Sequence, residues 1–182
     1  GMAAKLWKRQ PFKSPYSAAQ EVGAGETAAK IAANPLIRVH LNSTIAETSG
    51  APGRFVIKVA QESGAVSEET VGAIVQATGF TTYDMAKLPE LGGGQPNVVD
   101  QAGLEAMALA ANGGAIKRAD GKDVKSVVFV QCAGQRDTTG QHLSYCSGHC
   151  CGTSIKQATY FKDQNPDIFG IIEVENADIR KL

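Results

Sequence analysis

"SVVFVQCAGQRD", residues 126 to 137, governs how the rest of the chain is read. Its first seven residues form an apolar, β-branched run of the kind that fills a buried strand. The run ends on Cys132, and α/β proteins gather ligands beyond the carboxyl ends of their strands. Downstream, a helix is expected between Cys146 and Asp163, and "IFGIIEV" (168–174) forms a further apolar strand. Strand, helix and strand joined by a right-handed crossover make a βαβ unit. The expected fold class is therefore α/β.

Working upstream, Val71 to Ala77 is a second continuous apolar run, expected as a buried parallel strand that stops at Gly79. Before it, "NPLIRVHLNSTIAETSGAPGRFVIKVA" predicts three short strands at 36–41, 43–49 and 54–60, with "SGAPG" as the turn between the last two. Residues 17–33 predict one helix, or two short ones interrupted by Gly23 and Gly25. "TTYDMAKLPELGGGQPNVV" is loop-like, and "DQAGLEAMALAAN" is a short helix with Asp100 as N-cap. The predicted organisation is a first domain over 1–83, a linker with a short helix over 84–121, and a βαβ domain over 122–182.

The 182 residues can bury a real core, and Lys+Arg and Asp+Glu balance at 18 each. That balance argues against a nucleic-acid-binding module, which would carry a basic field. No apolar run approaches the roughly 20 residues of a bilayer span, so no membrane span is expected. "GMAAKLWKRQPF" lacks a signal peptide's apolar segment, and Gly1 ahead of Met2 has the look of a tag remnant. A cytoplasmic location is expected, where clustered cysteines serve as ligands or redox groups more often than as structural disulfides.

All four cysteines lie at 132, 146, 150 and 151, three of them in "YCSGHCC". If helical, Cys146 and Cys150 would share a face at roughly 5–6 Å, with Cys151 about a quarter-turn away. A strand end and a helix start in one βαβ unit are near neighbours, so four sulfurs can converge there. A helix N-terminus also favours thiolate, the form that binds metal. Gly134, Gly148 and Gly152 leave room for backbone N–H groups beside sulfur. Four thiolates select an iron–sulfur cluster or zinc. Zinc usually takes paired knuckles, whereas here one cysteine is isolated and two are adjacent; zinc with His149 replacing one cysteine stays open. So do a dithiol switch, and cysteines that are merely small buried hydrophobes.

"VVFVQCAGQRD" followed by "YCSGHCCGTSIKQA" resembles the A subunit of heterodisulfide reductase and its relatives in quinone-interacting oxidoreductase complexes. Those proteins carry QCxGxRD and then YCSxxCCxxxxKQA. The resemblance extends through "GAIVQATGF", "LPELGGGQPNVV" and the hairpin-like stretch from Asn34, and takes in the opening residues. It implies a thioredoxin-reductase-like architecture with FAD-type and nucleotide-binding-like domains. It implies a 4Fe-4S cluster on Cys132, Cys146, Cys150 and Cys151. It also implies that Ala77, Thr78 and Gly79 approach a flavin, and that Arg136 and Asp137 support the site. The implied role is electron transfer between a flavin and the redox subunits of a larger complex, with no residue needed as general acid or base.

The chain departs from that pattern in lacking the GxGxxG loop that holds the FAD pyrophosphate. "GAGET" at 23 has no preceding strand, and "ELGGGQP" reads as linker. The expectation is a piece of a larger flavoprotein that binds FAD weakly or not at all alone and is inactive by itself. The alternatives of another class are a zinc-stabilised docking scaffold and a thiol–disulfide switch. His40 and His142 read as packed or surface histidines, Trp7 as a packing residue, and "KLWKR" as a solvated basic face.

Overall fold

The computed structural model describes residues 5–10 and 18–174. Residues 1–4, residues 11–17 (the end of the basic opening and the first residue of the expected helix) and everything after Val174 lie outside them. The chain divides into two units, one of residues 23–80 and one of residues 1–22 with 81–182.

In the first unit, helix α1 (Ala24–Ala33) starts after Gly23, buries none of its residues, and has the Thr27 hydroxyl donating to the Gly23 carbonyl at 3.0 Å. Strands β1 (Ser43–Ala51), β2 (Arg54–Gln61) and β3 (Val66–Val71) then form an antiparallel meander in the order β1-β2-β3. Pro52 and Gly53 make the two-residue turn that pairs Ala51 with Arg54. Alternation along β2 buries Ile57 and Val59 and sends Lys58 outward to Glu47 at 2.7 Å, directly across the ladder.

Two expectations fail here. The predicted strand at 36–41 does not form: Leu36, 91 % exposed, lies in a turn closed by Ile37 N donating to Asn34 O at 3.1 Å, and residues 37–41 join no strand. Both edges of β2 are already taken, by β1 and β3; residues Arg38 and His40 reach Glu69 of β3 through their side chains instead, at 2.5 and 3.5 Å. The predicted strand over 71–77 also does not form. The sheet ends at Val71, and Val75 is 87 % exposed in unpaired chain. An apolar run becomes a parallel strand only where a neighbour completes its hydrogen bonds, and residues 72–77 join no strand of this sheet. The third strand is the charged "VSEETV", which continuous hydrophobicity could not mark.

The second unit holds α2 (Gln101–Ala111), β4 (Ser126–Gln131), α3 (Cys150–Gln164) and β5 (Phe169–Val174). As expected, Asp100 caps α2, accepting from Gly103 N at 2.6 Å, and Asn112 closes it in the left-handed region. β4 and β5 pair in parallel, Ser126 opposite Phe169 through Gln131 opposite Val174, with α3 as the connection. The two helices and β4 enclose one core of Leu104, Ala108, Ile116, Phe129, Tyr160, Phe161 and Ile168. Phe129 meets Phe161 edge-on, ring centres 6.5 Å apart. Trp7 packs on this core, as the sequence suggested. The "GGG" stretch is more than slack chain, since a Cβ on Gly93 would overlap the Met85 carbonyl and come within 2.9 Å of Leu88 O.

Beneath the core's polar edge lies a buried ion pair. Lys156 Nζ stands 2.8 Å from Glu105 Oε1, the two side chains 6 % and 3 % exposed. Glu105 also accepts from Trp7 N at 2.8 Å, Gln157 Nε2 at 2.9 Å and the Tyr160 hydroxyl at 3.2 Å. Lys156 donates in addition to the Lys8 carbonyl at 2.7 Å. The pair thus satisfies its hydrogen bonds and ties the N-terminal residues to both helices. Among the described residues no helix is long and apolar enough to cross a membrane.

Candidate metal centre

β4 points Phe129 and Gln131 inward and ends by presenting Cys132, 8 % exposed, at the mouth of the loop to α3. Cys132 sits at φ 59 and Arg136 at φ 55. Each left-handed non-glycine residue costs about 1–2 kcal/mol, a cost tolerated mainly where the fold must aim a particular group. The turn is held by Gln135 N donating to Cys132 O at 2.9 Å. The loop then folds back on itself: Leu143 N donates to Gly134 O, Asp137 N to Leu143 O and Arg136 N to Tyr145 O. Asp137 anchors its tip, accepting from the backbone N–H groups of Thr139, Gln141 and His142. Those bonds, with the Thr139 hydroxyl, hold its carboxyl well below the usual carboxylate range.

Tyr83 clamps the loop from outside. Its hydroxyl meets His142 Nδ1 at 2.6 Å, and its ring occupies the space a side chain on Gly134 would need, with ring atoms 2.6 and 2.7 Å from an ideal Cβ. Gly134 also lies at φ 71. Gly134→Ala is therefore expected to destabilise the protein by about 1–3 kcal/mol through overpacking and backbone strain. A thermal or urea midpoint checks this, and an unchanged midpoint would show that Tyr83 yields freely.

Cys146 lies in the loop, not on the helix, so the expected shared helical face of Cys146 and Cys150 does not exist. α3 begins only at Cys150, and Gly148, in the left-handed region, donates its N–H to Cys146 Sγ at 3.3 Å. Cys150 and Cys151 occupy the first helical turn, after His149. Burial foremost, and then Cys150, pushes the Cys132 thiol up, with Cys146 adding to the effect; the Arg136 guanidinium pulls it back by charge and hydrogen bond. Burial likewise raises Cys151, followed by Cys150, Cys132 and Cys146. Among the described residues no three His, Cys, Asp or Glu side chains are drawn together as closely as ligands of a single ion.

Known proteins carry closely related sequence, although no family model matches the chain. Over 119 residues it is 39 % identical to the A subunit of the H(2):CoB-CoM heterodisulfide,ferredoxin reductase of Methanothermobacter thermautotrophicus, covering 63 % of this chain and 18 % of that protein. The chain is similar to the A subunit of heterodisulfide reductase. The corresponding A subunit of the ferredoxin/F(420)H(2)-dependent CoB-CoM heterodisulfide reductase of Methanosarcina acetivorans is 36 % identical over 55 % of this chain and 13 % of its own length. The iron-sulfur A subunit of the CoB--CoM heterodisulfide reductase of Methanocaldococcus jannaschii is 39 % identical over 53 % and 15 %. The chain therefore spans less than a fifth of each of these heterodisulfide reductase subunits.

The remaining predicted residues are placed less tightly. Ala77, Thr78 and Gly79 are exposed in the first unit, outside its strands. His40 pairs with Glu69, and His142 is the loop partner of Tyr83. Sequence reasoning missed Tyr83, Gln101, Glu105 and Ser154. Their partners Lys156 and Gln157, inside the KQA of the motif, did carry a signal; the Gln157 amide reaches Gln101 O at 2.8 Å.

Proposed function

We propose that this chain carries a 4Fe-4S cluster on Cys132, Cys146, Cys150 and Cys151 and serves as an electron-transfer element of a heterodisulfide-reductase-type complex. The observation that carries the reading is the placement of Cys132 at the end of β4 and of Cys150 and Cys151 in the first turn of α3, with the Gly148 amide already donating to Cys146 Sγ at 3.3 Å. The Arg136 guanidinium favours the charged form of Cys132. Hydrogen bonds to ligand sulfurs raise the potential of such a cluster, while burial and net charge set the rest. A bound cluster would supply one-electron chemistry. The protein's part is to hold Cys132 rigidly, to shield it, and to neutralise part of the thiolate charge through Arg136.

The relatives' names, which join ferredoxin or hydrogen to a heterodisulfide, support docking to other redox subunits. FAD and a thioredoxin-reductase-like architecture belong to the same proposal, with Ala77, Thr78 and Gly79 as one edge of a flavin site that needs further protein to complete.

The test is reconstitution with iron and sulfide in the absence of oxygen, followed by metal and sulfide analysis, visible absorption and EPR of the reduced protein. About four irons and four sulfides per chain with a reducible spectrum would support the cluster. Bound zinc in a colourless protein, or a reversible disulfide without metal, would overturn it in favour of a docking scaffold or a thiol switch.

A further inference from the structure

Backbone bonds within the loop tie the turn after Cys132 to the residues before Cys146, as in Arg136 N donating to Tyr145 O. Between the end of β4 and the first turns of α3, which carries Cys150 and Cys151, runs a side-chain bridge. Gln131, next to Cys132, donates through Nε2 to Ser154 Oγ at 2.7 Å. Gln101, the first residue of α2, donates through Nε2 both to the same Ser154 Oγ at 2.9 Å and to the Cys150 carbonyl at 2.8 Å. Gln131 and Ser154 are 2 % and 1 % exposed, so neither competes with solvent for these bonds. One hydroxyl thus receives two amides, one from the strand that carries Cys132 and one from the helix that also grips the backbone of Cys150.

We infer that Gln101, acting through Ser154, is a positioning residue that sets the spacing between Cys132 and the Cys150–Cys151 pair. This rests on the cluster reading above. Gln101 touches no sulfur. It fixes the peptide group of one ligand and the hydroxyl that holds the residue beside another, and such outer partners tune a metal site's affinity and potential. A second polar network surrounds Glu105, Lys156 and Tyr160 and meets the first at Gln157, whose amide reaches both the Gln101 carbonyl and Glu105 Oε1. That contact is to the Gln101 backbone, so a change of the Gln101 side chain leaves it in place, and the two roles can be told apart.

The experiment compares the reconstituted chain with its Gln101→Met, Ser154→Ala and Tyr160→Phe variants. Gln101→Met keeps the length of a half-buried side chain while removing its donors. Gln101→Met and Ser154→Ala are expected to shift the reduction potential and the EPR signal, and to lose iron about tenfold faster under air. Tyr160→Phe, which removes a buried hydroxyl bonded to Glu105 and to neither the Gln101 side chain nor Ser154, is expected to lower the thermal midpoint while leaving the spectrum and potential unchanged. Wild-type spectrum, potential and iron loss in Gln101→Met would overturn the inference and leave the cluster standing. An equal spectral shift in Tyr160→Phe would overturn it too, because general loosening would then explain the effect. A parent chain that takes up no iron would instead sink the cluster reading, and this inference with it.

Discussion

The Cys150→Ser variant, reconstituted beside the parent chain, is expected to retain at least about tenfold less iron and to lose the visible absorption band. Cys150 opens α3, is half-buried, and stands beside Cys151 in the first helical turn. A hydroxyl is a poor substitute, being harder than thiolate and far less acidic, while iron–sulfur centres select soft thiolate donors. Folding should survive, because the core of Leu104, Phe129, Tyr160 and Phe161 lies on the inner faces of α2, α3 and β4. Iron, sulfide and absorption unchanged from the parent would remove Cys150 from the ligand set. A lower thermal midpoint with full iron content would give it a packing role only.

Glu105→Ala is expected to be the most destabilising single change. It leaves the Lys156 ammonium in a site only 6 % exposed with its carboxylate gone, and withdraws the acceptor from Gln157, Tyr160 and Trp7 N. Breaking one side of a buried pair typically costs about 3–5 kcal/mol, against a total stability of about 5–15 kcal/mol for a domain. The variant should melt far below the parent or fail to accumulate. Glu105→Leu combined with Lys156→Met is the informative companion, since replacing both charges with apolar groups is often close to neutral. Urea denaturation of the three proteins measures both effects. A Glu105→Ala midpoint matching the parent would mean that Lys156 reaches water easily and that the pair contributes little.

Much of the second unit was legible from local patterns. Asp100 ahead of an alanine-rich run announced α2, and the apolar "SVVFVQ" announced β4. The helix and strand that follow answered to periodicity and length. The meander was only half legible. β1 and β2 declared themselves through "SGAPG", but the charged β3 carried no strand signal and the apolar 71–77 looked like a strand. Local composition reports which face a residue suits; it does not report whether a neighbour's backbone stands ready to pair.

The same division runs through the candidate site. The cysteine spacing and its resemblance to a known motif marked out four sulfurs and an adjoining Arg136 without any geometry. Tertiary structure alone decided that Cys146 stands off the helix, that Cys132 occupies a left-handed turn, and that Tyr83 packs where Gly134 has no side chain. It alone joined Gln101, Gln131 and Ser154 beneath the cysteines. The physical reason is range. Hydrophobic period, capping and ligand spacing act within a few residues and are written in the order of the chain. A hydrogen bond across 53 residues, as from Gln101 to Ser154, exists only once packing has brought its ends together.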